Sequence, residues 1–351
     1  LIFNWCAELE KFAPDLKYTT VTGNKTGRQA IINSIPEYDV VITSYPLIRR
    51  DIDLYEKLAF RYCILDEAQH IKNPSSRNAR SVKLIKARTR FALTGTPMEN
   101  NLYELWSVFD FILPGYLYSY NRFNEKFVQP AGGEDGYEIL DDLSKQIKPF
   151  ILRRLKKDVL HELPDKIENT MYAELTDEQK KLYLAFLQDI KGEISKEIDE
   201  VGFERSRLRI LAALTRLRQL CCHPALFLDN YRGESGKLLL LDEILQESIE
   251  SGHKILVFSQ FTGLLKLIRK RLDDMKIPLL YLDGSTPPNE RGYLVNSFNE
   301  GNSKVFLLSL KAGGTGLNLT GADTVIHCDP WWNPAVEEQA TDRSYRIGQT
   351  K

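Results

Sequence analysis

The sequence predicts an α/β protein with two parallel-sheet regions separated by a helical region. Short apolar runs, each long enough for one strand, alternate with segments of helical periodicity. This alternation stops after residue 100 and resumes near residue 236, and the stretch between is helix-like. Alternating strands and helices are typical of right-handed parallel crossover units. We therefore expect three regions: residues 1–100, 101–230 and 231–351.

In the first region, the apolar run at residues 62–65 is too short for a helix and fits one buried strand. The run at residues 40–43 likewise fits a buried parallel strand. Residues 1–12 place apolar side chains at helical spacing. The expected strands are 18–21, 40–43, 62–65 and 91–93, and the expected helices are 1–12, 45–57 and 75–87.

The two later regions are delimited in the same way. Thr176 followed by Gln179 forms a capping-box pattern, which predicts that a long helix begins at residue 177. Basic residues crowd the segment from Lys148 to Lys157. The expected helices of the middle region are 102–113, 122–128, 137–147, 177–200 and 204–220. In the last region we expect strands at 255–258, 279–282, 305–308 and 324–327, and helices at 237–250, 264–275, 291–298 and 335–345.

Composition narrows the class of protein. The net charge is −1, which does not exclude nucleic acid, since only one groove of a nucleic-acid-binding protein need be basic. The five cysteines are scattered and odd in number, which favours reduced thiols and an intracellular location. No apolar run approaches the ~18 residues of a membrane span. Cys221, Cys222 and His223 lack a second ligand pair at finger spacing, so we expect no zinc.

A pair of carboxylates, Asp66 and Glu67, directly follows the strand expected at residues 62–65. In an open α/β sheet, ligands bind beyond the carboxyl ends of the strands. One carboxylate there can hold a Mg²⁺ ion that bridges ATP phosphates, and its neighbour can orient or deprotonate the attacking water. A buried strand followed by a polar turn is an equally good interpretation of this pattern alone.

A series of motifs in fixed order resembles the Swi/Snf-like ATPases, DNA translocases of helicase superfamily two, and in particular their bacterial members. The resemblance covers nearly the whole chain. It rests on Asn4-Trp5, Thr43-Ser44-Tyr45, Asp66-Glu67-Ala68-Gln69, Leu93–Asn100, Ile151–Asp158, Val257–Phe261, Ser309–Leu319, Asp329–Pro334 and Gln339–Gln349.

The resemblance implies an ATP site that uses Mg²⁺. Asp66 would hold the metal and Glu67 would activate water. Arg343 and Arg346, three residues apart on one expected helical face, would be arginine fingers from the second lobe. An arginine pair on a polar helix is by itself more often a solvated face. Gly316 would contact the nucleotide together with Asp66 and the two arginines.

Coupling between hydrolysis and DNA is assigned by the same resemblance. Gln69 stands where the family usually has His, but its amide can still donate and accept a hydrogen bond. Read alone, Thr94 and Thr96 could be turn-capping hydroxyls, and Trp332 could be a core aromatic. The implied coupling residues are Gln69, Thr94, Thr96, Trp332 and Gln339. The implied DNA contacts are Asn4, Thr43, Ser44, Ser259, Gln260, Gly284, Ser285, Thr286 and Thr315, whose polar groups suit phosphate oxygens.

The implied fold is a pair of RecA-like lobes separated by a helical insertion. No Gly-x-x-x-x-Gly-Lys-[Ser/Thr] phosphate loop occurs in the sequence. In the family this loop precedes the segment that corresponds to residues 1–5, so we expect the first lobe to lack its beginning here. The resemblance also ends at the arginine segment, so we expect the second lobe to lack its final strand. The implied partners are double-stranded DNA and DNA-bound protein complexes, in the cytoplasm or nucleoid of a bacterium or the nucleus of a eukaryote. A non-catalytic DNA-binding scaffold and a strand-separating helicase remain alternatives.

Overall fold

The computed structural model describes residues 2–95, 101–133, 136–160, 162–313 and 316–351, apart from the side chains of residues 157, 288 and 289. The chain forms two compact units, residues 1–155 and 156–351. The helical residues 101–230 are therefore shared between the two units. Among the described helices, none combines the length and apolar character needed to cross a membrane.

The first unit is built on parallel strand pairs. Strands β1 (Tyr18–Thr20) and β2 (Val40–Ile42) pair with each other, as do β3 (Ala59–Leu65) and β4 (Lys86–Ala92). The helices around them are α1 (Ile2–Phe12), α2 (Lys25–Asn33), α3 (Tyr45–Tyr55) and α4 (Arg77–Leu84). A short 3₁₀ segment, Ala68–Ile71, follows β3. Each expected strand is present within a few residues, whereas α2 was not expected.

A single hydrophobic core joins both strand pairs of this unit. Val21 after β1, Ile48 of α3, Leu65 of β3 and Val82 of α4 all belong to it. The expectation of a buried strand at residues 62–65 is wrong, because exposure alternates over these four residues and Tyr62 and Ile64 are 52% and 54% exposed. Alternation follows from the pleat of the strand, which turns successive side chains to opposite faces.

Helices α5 (Leu102–Ile112), α6 (Tyr120–Phe123) and α7 (Gly136–Ile147) complete the first unit. A π-helical turn, Asn124–Val128, follows α6 in place of a regular helix over 122–128. These helices share a second core around Phe123 and Phe127. Helix α5 also packs on the first core through Phe111, which is fully buried.

The second unit begins with α8 (Lys156–Val159) and two long helices, α9 (Asp177–Val201) and α10 (Phe203–Cys222). The predicted capping box of Thr176 and Gln179 is present at the start of α9. Gly202 joins the two helices with φ 83°, a conformation that glycine adopts without steric cost. Arg209 of α10 makes ion pairs with two glutamates of α9, so the helices lie side by side.

A four-stranded parallel sheet forms the centre of the second unit, in the order β6-β7-β5-β8. All residues of β5 (Ile255–Ser259) and β7 (Val305–Ser309) are buried, because hydrophobic cores cover both faces of the sheet. The remaining strands are β6 (Leu279–Leu282) and β8 (Thr324–His327). The surrounding helices are α11 (Gly236–Glu250), α12 (Thr262–Asp274), α13 (Pro288–Glu300), α14 (Leu310–Gly313) and α15 (Pro334–Thr341).

Helix α15 is shorter than expected. It ends at Thr341, and the next residues form turns in which Arg346 N–H donates to the carbonyl of Ser344 (3.0 Å). The carbonyl of Arg343 accepts from Leu319 N–H (2.9 Å), and that of Ser344 accepts from the side chain of Gln349 (3.2 Å). These tertiary bonds use the carbonyls that a longer helix would need. The expectation that Arg343 and Arg346 share one helical face is therefore wrong.

Candidate nucleotide and DNA sites

The carboxylate pair lies at the carboxyl end of β3, as expected. Glu67 has φ 49° and ψ 53°, in the left-handed region that residues other than glycine seldom adopt. Its N–H donates to Oδ1 of Asp66 (2.9 Å), which stabilises this turn. Strained backbone of this kind concentrates at functional sites.

Glu67 is linked through Gln69 to Thr94. Gln69 Nε2 donates to Oε2 of Glu67 (2.6 Å), and Thr94 Oγ1 donates to Oε1 of Gln69 (3.0 Å). The backbone reinforces this link, because Ala68 N–H donates to the carbonyl of Leu93 (2.9 Å). The amide thus joins the carboxylate at the end of β3 to the hydroxyl just beyond β4. Thr96 lies outside the described residues.

Two aromatic side chains hold Asp66. Trp5 Nε1 donates to its Oδ2 (2.9 Å), and the Tyr45 hydroxyl donates to its backbone carbonyl (2.8 Å). Burial raises the pKa of Tyr45, and the nearby charge of Asp66 raises it further, so the hydroxyl stays a donor. We did not predict either aromatic as a site residue. Both belong to the motifs quoted above, and their polar hydrogens were the available signal.

The oxygen donors of this edge fit a magnesium ion better than a transition metal. Among the described residues there is no group of three or more His, Cys, Asp or Glu that could enclose a metal. Mg²⁺ commonly takes only one or two protein carboxylates and completes its coordination with water and substrate phosphates. Asp66 meets that requirement.

The predicted DNA contacts of the first unit lie in two places. Thr43 and Ser44 follow β2, with Ser44 directly before α3, and Asn4 lies in α1. The Thr43 hydroxyl donates to the carbonyl of Val21 (3.2 Å). All three polar side chains are half-buried. Thr43 and Ser44 thus follow the carboxyl end of β2, as Asp66 and Glu67 follow that of β3.

Asp329 is the centre of the corresponding edge in the second unit. It is 4% exposed and accepts hydrogen bonds from the Ser259 hydroxyl (2.5 Å) and from Gln260 N–H (3.2 Å). Burial raises its pKa, and the two hydrogen bonds oppose that rise. Ser259 and Gln260 follow β5 and Asp329 follows β8, so one buried carboxylate fixes both strand ends. We did not predict Asp329 as a site residue.

Arg218 of α10 holds the loop that follows Asp329. Its guanidinium donates to the carbonyl of Pro330 and lies 4.0 Å from Oδ2 of Asp329. It also covers the ring of Trp332, 4.7 Å from the ring centroid. Trp332 is 60% exposed, so the alternative that it is a core aromatic is wrong.

Asp283 organises the loop of Gly284, Ser285 and Thr286. Its carboxylate accepts from both the N–H (2.8 Å) and the hydroxyl (2.6 Å) of Ser285, and these bonds lower the pKa of Asp283. Its own N–H donates to the Thr286 hydroxyl (3.1 Å). Gly284 and Ser285 remain exposed at the tip.

The two arginines lie on the turn after α15. Arg343 is 4% exposed, and its Nε donates to the carbonyl of Gln339 (3.0 Å), while Arg346 Nε donates to the carbonyl of Asp342 (2.9 Å). Lys156 holds this turn from outside through an ion pair with Asp342 (2.6 Å). The turn is therefore fixed by contacts from the basic segment that we had noted in the sequence.

Gly316 has φ 65°, which glycine tolerates better than other residues. Thr315, a predicted DNA contact, lies outside the described residues.

The sequence matches the models of two known protein families. Residues 1–226 match the model of the SNF2-related domain. The chain belongs to the SNF2 family. Residues 236–348 match the helicase conserved C-terminal domain. The resemblance to Swi/Snf-like ATPases that the motifs indicated is thus confirmed, as is the α/β fold with parallel sheets.

Individual SNF2 relatives cover nearly all of the chain. The TATA-binding protein-associated factor MOT1 of Saccharomyces cerevisiae is 37% identical over 99% of this chain and 22% of its own length. The putative ATP-dependent helicase/translocase YwqA of Bacillus subtilis is 39% identical, over 99% and 38% respectively. The human SWI/SNF-related regulator of chromatin subfamily A member 1 is 36% identical, over 100% and 34%. The chain thus spans between about a fifth and two fifths of these relatives.

A solved structure, the Sulfolobus solfataricus SWI2/SNF2 ATPase core in complex with double-stranded DNA, is 38% identical to this SNF2 chain. It covers 100% of this chain, which in turn covers 73% of it, with a TM-score of 0.47.

Proposed function

We propose that this chain is the ATP-hydrolysing core of a motor that moves along double-stranded DNA. The observation that carries the proposal is the fixed carboxylate Glu67 at the carboxyl end of β3, held by Gln69 and Thr94 beside Asp66. Membership of the SNF2 family supports it, as does the name of the Bacillus subtilis relative, a putative ATP-dependent helicase/translocase.

In this proposal the two carboxylates have different tasks. Asp66 would hold Mg²⁺, which would supply positive charge to neutralise the phosphates of ATP. Glu67 orients and deprotonates the attacking water, and the Gln69 amide keeps its carboxylate in one rotamer. Because Gln69 also accepts from Thr94, a shift of the segment after β4 changes the position of Glu67. This gives DNA-side motion a direct route to the catalytic carboxylate.

Arg343 and Arg346 supply the remaining positive charge. We propose that they neutralise the transferred phosphoryl group, a contribution worth about 10³–10⁵ in rate where it has been measured in other enzymes. Their backbone is held by Lys156 and by Leu319 N–H, so the turn is preorganised before nucleotide binds. Preorganised charge avoids the cost of reorganisation during the reaction.

The DNA contacts in this proposal are hydroxyls, amides and backbone N–H groups at strand ends. Such groups suit phosphate oxygens and carry no sequence information, so binding should be independent of sequence. Gln260 is fixed by Asp329 and Ser285 by Asp283. Ser259 is 1% exposed and its hydroxyl donates to Asp329, so the expectation that its side chain contacts DNA is wrong, and we propose that it positions Gln260 instead. Rigid phosphate contacts of this kind fit a motor that follows a duplex backbone.

The first test is Glu67→Gln in the intact protein. Turnover of ATP should fall about 10²–10⁴-fold, because general-base catalysis is lost, while ATP affinity stays nearly unchanged. Glu37→Gln, at an exposed glutamate of the same unit, is the matched control and should retain full turnover. Near-normal turnover of Glu67→Gln would refute the base assignment. A wild type that itself hydrolyses no ATP would favour the non-catalytic scaffold.

The second test separates a translocase from a strand-separating helicase. A triplex reports movement along an intact duplex, because a translocase displaces the third strand. A tailed duplex reports unwinding. We expect ATP-dependent displacement of the third strand with the tailed duplex left paired. Efficient unwinding of the tailed duplex would identify the protein as a helicase.

A further inference from the structure

A groove of about 580 Å³ lies between α3 and α4 in the first unit. None of the predicted nucleotide or DNA residues lines it. Its lining residues are Arg49, Arg50, Arg77, Arg80, Ser81 and Leu84.

Helical spacing and packing fix this lining. On α4, Arg77, Arg80, Ser81 and Leu84 are separated by three, four and seven residues, which places them on one face. The two helices are anchored by buried side chains, Ile48 on α3 and Val82 on α4, in a common core. The four guanidinium groups therefore start from rigid backbone positions on both sides of the groove.

The four arginines carry unneutralised charge. Across the described ranges, no carboxylate lies within 4.0 Å of any of them. The adjacent acid, Asp51, is bound by Arg28 in a buried ion pair of 2.6 Å. Asp53, one turn away on α3, is exposed and forms no ion pair within the described ranges.

Arg90, in the same unit, has a structural role and can be compared with the four arginines of the groove. Arg90 donates to the carbonyls of Phe111 (3.1 Å) and Ile85 (2.8 Å) and covers the ring of Phe111. The groove arginines have no comparable partners in the described part of the chain and are exposed. Like charges three or four residues apart on a helix destabilise it. A bound anion would offset this repulsion.

We propose that the groove binds the phosphate groups of a polyanion. Guanidinium groups match phosphate oxygens with two parallel hydrogen bonds each, and several arginines on facing helices can bind neighbouring phosphates together. The volume lies within the usual range for small-ligand sites, about 300–1,000 Å³. The phosphates come either from a free polyphosphate or from a nucleic-acid backbone. The proposal that the groove binds phosphate holds whether or not the chain hydrolyses ATP.

The test is a titration of inorganic tripolyphosphate into the intact protein by calorimetry, with saturating ADP present to occupy a nucleotide site. Two double variants remove the charge from one helix each, Arg77→Gln with Arg80→Gln and Arg49→Gln with Arg50→Gln. Each should weaken binding about tenfold or more, since each deletes two charge-assisted contacts.

A matched control removes the same charge elsewhere in the unit. Arg61→Gln with Arg88→Gln changes two exposed arginines on β3 and β4 that do not line the groove. A second arm repeats all titrations with a duplex of DNA. Tripolyphosphate binding lost only in the groove variants identifies free polyphosphate as the ligand. Duplex binding lost only in the groove variants identifies backbone phosphates.

Selective loss of tripolyphosphate binding or of duplex binding in the groove variants supports the proposal. Two other results would overturn it. If groove and control variants weaken binding equally, the effect is general charge and not a groove. If no variant weakens either ligand, the groove binds no phosphate. The thermal midpoint of each groove variant should equal or exceed that of the wild type, because repulsion is removed, so loss of binding is not loss of folding.

Discussion

Replacement of Asp329 by alanine tests whether one buried carboxylate fixes the ends of β5 and β8 in the second unit. The change leaves the N–H of Gln260 without its acceptor at 3.2 Å. It also removes the acceptor of the Ser259 hydroxyl, although that hydroxyl lies 3.4 Å from the carbonyl of Phe261 and can turn towards it. One or two buried donors are thus left unsatisfied.

The expected loss of stability follows from that count. A buried donor without a partner costs about 1–3 kcal/mol. If Ser259 finds the carbonyl of Phe261, the loss is about 1–3 kcal/mol, and if it does not, the loss is up to about 6 kcal/mol. Against a typical total of about 5–15 kcal/mol, either value is easily measured.

The assay is urea unfolding followed by tryptophan fluorescence, since Trp331 and Trp332 lie in the loop next to Asp329. The midpoint should fall at an unchanged slope. Asp274→Ala, at an exposed aspartate of α12, is the control and should stay within about 0.5 kcal/mol of the wild type. Equal stability of Asp329→Ala and this control would refute the role of Asp329 as an anchor.

The pH dependence of stability tests the environment of Asp329 independently. Burial raises the pKa of Asp329 above its ordinary value of 3.8, so folding favours the protonated carboxyl. This contribution to stability is complete at pH values below the pKa of Asp329 in the unfolded state. It is lost as the pH rises through the pKa of Asp329 in the folded state. Asp329→Asn cannot take up this proton. The wild type should therefore gain stability relative to Asp329→Asn as the pH is lowered through that window, and the opposite trend would contradict a raised pKa.

Three further predictions concern the proposed motor. Arg346→Ala and Arg343→Ala should each lower DNA-stimulated turnover about 10³-fold or more with little change in ATP affinity, and should lower the basal rate less, because we propose that bound DNA brings the arginines to the nucleotide. Equal loss of the basal and the stimulated rate would contradict this. The logarithm of DNA affinity should fall linearly with the logarithm of salt concentration, equally for unrelated duplexes. Lys156→Ala removes the ion pair that holds the arginine turn, so kcat should fall while KM for ATP stays constant; a selective rise in KM would show that Lys156 acts on binding instead.

Much of the fold and part of the site follow from local sequence. The alternation of apolar runs and helical segments predicted the parallel sheets, because strand and helix periods depend on near neighbours along the chain. The capping box at Thr176 is a pattern of four residues and was confirmed. Asp66 and Glu67 directly follow a strand, so their place at the sheet edge was also predictable. The roles assigned to the nucleotide and DNA residues by resemblance stay predictions.

The tertiary structure alone decided the contacts between residues far apart in sequence. Asp329 binds Ser259 across 70 residues, and only the pairing of β5 with β8 brings them together. The turn that carries Arg343 replaced an expected helix because Leu319 N–H takes its carbonyl. Arg49 and Arg77 share a groove because α3 and α4 pack on one core. Local propensity cannot predict such contacts, since their free energy arises from burial and hydrogen bonding after the chain has closed on itself.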